Sequence, residues 1–171
     1  MLFVTWRLWG SLPEDRYPSL GSEFAGRAFE WIDRCLDGAK CGPVWLGRDD
    51  VAQLVVNALA YGARSMDLYE LHAFVVMSNH VHALLTPHVA AIRLMQSIKG
   101  YTAREANRIL GRTGEPFWQN EYFDHWIRDD AEFERVRVYV ENDPVRFGIV
   151  AQPCEFRWSS AYAGLKAVVA G

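Results

Sequence analysis

Apolar and polar positions change their period several times along the chain, and each change marks an element. Residues 2–8 (Leu-Phe-Val-Thr-Trp-Arg-Leu) alternate enough for a first strand, which carries Arg7. Residues 13–18 are bounded by prolines and read as a loop. Over 22–37 the stripe Phe24, Ala28, Trp31, Cys35 has helical spacing and ends at Gly38. A connector over 41–47 leads to a second helix, capped by Asp49 or Asp50 and running to about residue 61. Its inward positions are Val51, Val55, Ala58 and Leu59, with Gly62 as the expected stop. Two strands, 69–78 and 80–86, meet at Ser78-Asn79 in a tight hairpin.

A long helix over 90–110 follows, apolar at Ala91, Leu94, Met95, Ile98 and Ala106, and residues 111–116 break it. Residues 117–127 are aromatic and extended. A helix capped by Asp129 or Asp130 runs to about residue 142, where Pro144 is expected to stop it. An aromatic, serine-bearing tail covers 153–162. The one clear strand pair is antiparallel and helices interleave with strands, so the expected class is α+β, with helices packed on one antiparallel sheet.

Composition narrows the class. The chain has 171 residues, half of them apolar, enough for one domain, 1–171, with a proper core. No apolar run is long enough to cross a bilayer, and no secretory pattern is visible at the start. Cys35, Cys41 and Cys154 are odd in number and lack CxxC spacing, which fits reduced thiols in the cytoplasm. The formal charge of −3 argues mildly against a nucleic-acid partner. Locally the sign reverses: Arg93, Lys99, Arg104, Arg108 and Arg112 face Glu105 alone across one helix.

The strand ending the hairpin carries the most informative residues. His80 and His82 flank Val81, and alternation sends both imidazoles to one face, about 6–7 Å apart along the strand. Two imidazoles at that span suit one divalent ion. The bland reading is a strand whose polar rings are satisfied by core hydrogen bonds, and the spacing alone leaves both open. On the last helix Arg135, Tyr139 and Asp143 follow at i, i+4, i+8, beside an apolar stripe of Phe133, Val136 and Val140. Tyr139 and Asp143 therefore lie at the edge of the docked face. There they are either packing and helix-end residues or a phenol beside a carboxylate ligand.

Five segments together resemble the single-tyrosine HUH transposases, and most closely their REP-associated tyrosine transposase branch. They are Phe3-Val-Thr-Trp-Arg-Leu; Phe74-Val-Val-Met-Ser-Asn-His-Val-His-Ala-Leu-Leu; Ser97-Ile-Lys-Gly-Tyr-Thr-Ala-Arg; Phe117-Trp-Gln-Asn-Glu-Tyr-Phe-Asp-His-Trp-Ile-Arg; and Tyr139-Val-Glu-Asn-Asp-Pro-Val-Arg. Trp158-Ser-Ser-Ala looks like the usual ending, so the likeness spans nearly the whole chain in order. It implies a ferredoxin/RRM-like sheet and a single-strand DNA transposase that cleaves and rejoins DNA beside palindromic hairpins through a 5′-phosphotyrosine link. His80 and His82 would be metal ligands for Mg²⁺ or Mn²⁺, Tyr139 the nucleophile, and Asp143 the residue completing the metal site. Relatives commonly carry Asn before the proline, and here it is Asp143.

Lys99, Trp118, Gln119 and Arg128 lie in family-like segments and are expected to touch DNA, as is Arg7. Arg104, Arg108 and Arg112 recur every fourth residue and could track phosphates. His125 is expected to be structural or to contact DNA, while His72 and His88 carry no assigned role. The partner implied is a single-stranded DNA hairpin, with no membrane, a monomer or homodimer, and a cytoplasmic, nucleoid-associated location. Two rival classes remain: a DNA-hairpin-binding regulator of the same fold without chemistry, and a small-phosphate metallohydrolase in which Tyr139 is dispensable.

Overall fold

The computed structural model describes residues 1–12 and 42–165. The loop expected over 13–18, the helix expected over 22–37, and Cys35 and Cys41 lie outside the described residues. Strands β1 (Leu2–Arg7), β2 (Tyr69–Val76), β3 (His80–Pro87) and β4 (Phe123–Trp126) form one antiparallel sheet in the order β2-β3-β1-β4. Helices α1 (Asp49–Arg64), α2 (Ala91–Leu110) and α3 (Asp130–Arg146) pack on it. The α+β class read from the pattern is the observed one. Among the described residues, no helix is long and apolar enough to cross a membrane.

The two faces of the sheet are covered differently. Leu2, Val4 and Trp6 of β1 and Val81, Ala83 and Leu85 of β3 point to the side covered by Val51, Val55 and Leu59 of α1 and Leu94, Met95 and Ile98 of α2. Phe3, Ala73, Val75 and Leu84 point to the other side, where Val140, Phe133 and Val136 of α3 meet them. The apolar stripe read on the last helix is therefore the docking stripe. A bulge between Leu71 and Ala73 shifts the alternation within β2, so that Tyr69 and Leu71 share a face with Phe74 and Val76.

Met77 N–H donates to the His80 carbonyl at 2.9 Å and closes a two-residue turn at Ser78-Asn79, as expected. The turn is held from outside by Leu8 N–H on the Asn79 carbonyl (2.8 Å) and Leu46 N–H on the Ser78 carbonyl (3.1 Å).

Several local expectations need correcting. Gly62 does not stop α1, which continues to Arg64. A Cβ at Gly62 would lie 2.5 Å from the Tyr69 hydroxyl, and that hydroxyl donates to the Leu59 carbonyl at 2.8 Å. The glycine is a notch for a buried ring. The cap of α1 is Arg48, while Asp49 and Asp50 fall in its first turn. Pro144 does not end α3, which runs one turn beyond its expected stop to Arg146. Proline forfeits one backbone bond. The amides of Phe147, Gly148 and Ile149 still reach back to the carbonyls of Asp143, Val145 and Pro144.

Of the extended stretch 117–127, only Phe123–Trp126 is a full strand, with Trp118 bridging Leu8 upstream. The tail returns along β2. Ser159 bridges Val75, and Trp158 and Ser160 exchange backbone bonds with Val76 and Phe74.

Candidate metal and nucleophile site

β3 and β1 pair in a register that sets Thr5 opposite His82 and Arg7 opposite His80. All four face α3 and are buried. His80 Nδ1 lies 2.7 Å from Asn79 Oδ1. An amide oxygen only accepts, so the ring carries its proton on Nδ1 and turns the Nε2 lone pair toward α3. His82 Nδ1 is bonded to Thr5 Oγ1 at 2.7 Å, and its Nε2 lies 3.1 Å from that of His80. Both rings thus have their far nitrogen fixed by a neighbour and their near nitrogen aimed at one point. This is the arrangement that orients metal-binding histidines.

Asp143 comes to the same point from α3. Its side chain is fully buried, and Oδ2 stands 3.6 Å from His80 Nε2 and 3.7 Å from His82 Nε2. Oδ2 accepts no hydrogen bond, although it is out of solvent. A buried carboxylate oxygen left this way is costly unless a cation completes it. Ligand bonds of about 2.0–2.2 Å put neighbouring donors about 3–3.6 Å apart, close to the triangle formed here. His80, His82 and Asp143 form a group able to hold a metal ion. The residues fit the ion by donor chemistry and by the orphaned oxygen.

Tyr139 lies one turn before Asp143 on α3, partly exposed, with its ring centroid 6.2 Å from that of His82. Its other face is covered by the Arg146 guanidinium, 4.3 Å from the centroid. Arg146 Nη1 also donates to Asp143 Oδ1 at 3.2 Å. Arg135, at the far end of the expected stripe, is exposed.

The residues expected to touch DNA are placed unevenly. Arg7 is buried beside His80, its Nη1 donating to Ser11 Oγ at 3.4 Å. Gln119 N–H bonds the Arg7 carbonyl, which carries Gln119 to the same end of the sheet. Trp118 is only 6% exposed and packs edge-on to Trp6, its indole donating to Thr102 Oγ1 at 2.9 Å. Trp118, expected to touch DNA, is packed as a core residue. Lys99 donates from Nζ to the carbonyls of Gln119 and Asn120 at 2.8 and 2.7 Å. These two bonds tie Lys99 to the 119–120 loop, and burial lowers the pKa of its ammonium.

Arg104 and Arg108 are exposed and share Glu105, which halves their net charge. Arg112 lies over the Trp45 ring at 4.1 Å. Arg128 is exposed, and its N–H donates to Glu132, whose other oxygen lies 2.9 Å from His125 Nε2. His125 is thereby part of the cap of α3, a structural role.

Sequence reading did not single out Thr5, Asn79 or Arg146 as partners of the site. Asn79 was visible as the neighbour of His80. Thr5 needed the β1–β3 register, and Arg146 needed α3 to pass Pro144.

The sheet thus presents an inward pair of histidines, with a carboxylate on the facing helix and a tyrosine one turn from it. The sequence model of the family described as "Transposase IS200 like" matches residues 48–143, more than half of the chain. The chain belongs to this family of transposases.

No curated protein matches the sequence. A solved REP-associated tyrosine transposase bound to a REP hairpin shares the fold with a TM-score of 0.60 at 18% identity, over 97% of this chain and 78% of that one. A candidate transposase from Deinococcus radiodurans is aligned over 83% of this chain and 88% of its own, with a TM-score of 0.41 and 18% identity.

Proposed function

We propose that this protein is a single-strand DNA transposase of the REP-associated tyrosine type, which nicks and rejoins DNA beside a hairpin through a 5′-phosphotyrosine intermediate. One observation carries the reading. Three buried ligand atoms converge with no internal bond to complete Asp143 Oδ2, and a phenol stands one helical turn away. A core built only for stability gains nothing from that arrangement.

His80, His82 and Asp143 would hold the ion, Mg²⁺ or Mn²⁺. When bound, it supplies polarisation of the scissile phosphate and stabilisation of the charge that develops there. Asn79 keeps His80 in the ligating tautomer, and Thr5 orients the ring of His82. The Tyr139 oxygen attacks phosphorus in line. A tyrosyl–phosphorus bond forms, the bond to the upstream 3′-oxygen breaks, that oxygen takes a proton, and the phenol loses its own. Attack by a 3′-hydroxyl on the phosphotyrosine reverses these exchanges and reseals the strand. The energy of the broken bond is kept in the covalent link, so no nucleotide is consumed.

Gln119 and Arg128 are the side chains best situated for the DNA backbone, with Arg104 and Arg108 giving a weaker contribution on α2, while Arg7 is buried beside the site.

The test is a covalent-adduct gel with Mn²⁺ and a labelled single-stranded oligonucleotide carrying a hairpin from beside the protein's own gene. The expected result is a shifted protein that needs metal and vanishes with Tyr139→Phe while hairpin binding persists. Tight hairpin binding without an adduct under any divalent metal assigns the protein to the non-catalytic binders. Multiple turnover of small phosphates with Tyr139→Phe unaffected assigns it to the hydrolases.

A further inference from the structure

Arg146 has no part in the scheme above, yet it touches both halves of the site. It stands three residues after Asp143 and seven after Tyr139, so all three share one face of α3. Its Nη1 donates to Asp143 Oδ1 at 3.2 Å, its guanidinium covers the Tyr139 ring at 4.3 Å, and it reaches Phe147 at 5.5 Å. A cation that only answered the helix dipole would extend into water past the last carbonyls. This one folds back along its own helix.

Asp143 has two oxygens. Arg146 occupies one and the other faces the imidazoles. Rotation of the carboxyl group would exchange them, and the ion pair with Arg146 opposes that rotation. The flat guanidinium against the ring likewise restricts Tyr139. The continuation of α3 through Pro144 makes this possible, because a helix stopping at residue 143 would not carry Arg146 to that face.

We infer that Arg146 is a positioning residue: one guanidinium fixes which oxygen of Asp143 meets the metal ligands and at the same time fixes the Tyr139 ring. The Tyr139 half rests on the proposed function; the Asp143 half stands on the geometry alone.

The experiment compares wild type with Arg146→Ala and Arg146→Lys in two measurements. One is calorimetric Mn²⁺ titration of the protein without DNA. The other is the single-turnover rate of adduct formation at saturating hairpin oligonucleotide. Arg146→Ala is expected to weaken Mn²⁺ binding about tenfold or more, as removal of an outer partner of a ligand does. It is also expected to slow adduct formation about 10–100-fold while changing the half-saturating oligonucleotide concentration less than about threefold.

Lysine keeps the charge but cannot lie flat on a ring. Arg146→Lys should therefore restore Mn²⁺ affinity and leave the adduct rate low. Wild-type affinity and rate in Arg146→Ala overturn the inference. Full rescue of both by lysine overturns its Tyr139 half, as does a loss of rate that merely tracks a lowered melting temperature. If wild type binds Mn²⁺ yet forms no adduct, the proposed function fails, and the titration alone still decides the Asp143 half. Arg146→Gln takes the place of the alanine variant should that one not fold.

Discussion

Val81, Ala83 and Leu85 leave β3 on one face of the sheet, and His80 and His82 leave it on the other; all five are buried to the same degree. Toward α1 and α2 the strand meets side chains that ask only to be out of water, and the layer closes as a dry core. Toward α3 the same strand presents two imidazoles whose outer nitrogens are bonded and whose inner nitrogens meet an unbonded carboxylate oxygen. Burial alone therefore does not distinguish a core residue from a functional one. The chemistry of the polar atoms does: the α3 face sets a buried, unbonded carboxylate oxygen beside two imidazole nitrogens, whereas on the other face the Trp6 indole nitrogen is left without a partner among apolar side chains.

The largest break in this comparison comes from exchanging losses between the faces. His80→Ala or His82→Ala should abolish measurable Mn²⁺ binding and adduct formation while leaving a cooperative melt. Leu85→Ala, three residues beyond His82 on the opposite face of the same strand, should cost about 2–5 kcal/mol of stability and leave Mn²⁺ affinity within a few-fold. Thermal melts paired with Mn²⁺ titration read both. Variants on the two faces that lose stability and metal in the same proportion would dissolve the distinction.

Asp143→Asn sharpens it. The amide removes a buried charge and adds a donor that the facing imidazole nitrogens can accept. The metal-free protein should melt higher, by about 1 kcal/mol, while Mn²⁺ affinity falls. Stability gained where binding is lost is the signature of a residue kept for function. A lower melting temperature in the metal-free variant would mean that the carboxylate is structural.

The change with the smallest effect on metal binding belongs to the apolar face. Gly62→Ala pushes a methyl group into the Tyr69 ring and should cost about 1–3 kcal/mol, with Mn²⁺ affinity unchanged. Chemical denaturation of the two proteins measures it.

What could be seen in the chain beforehand follows from which interactions are local. Alternation along residues 80–86 put both histidines on one side, and helical spacing put Tyr139 beside Asp143. Both periodicities are properties of a single element. The antiparallel pairing at Ser78-Asn79 was legible for the same reason.

Interactions between elements were not legible. Nothing in the run Phe117-Trp118 says that one indole will be sealed against Trp6 and Thr102. Gly62 has the form of a helix end until the Tyr69 ring fills the space above it. Pro144 reads as a stop because the local rule counts the lost amide bond and not the three later amides that still bond back. Thr5 acquires its part only from the β1–β3 register, which pairs residues some eighty positions apart.

The claim on which the rest depends is that the polar face is completed by one metal ion held from β3 and α3 together. The most direct measurement is a crystal soaked in Mn²⁺, with anomalous scattering collected at a wavelength where manganese dominates. The account predicts one strong peak within ligand distance of His80 Nε2, His82 Nε2 and Asp143 Oδ2 at once. A saturating soak that leaves this point empty, or a peak held by the histidines while Asp143 turns away, would contradict it.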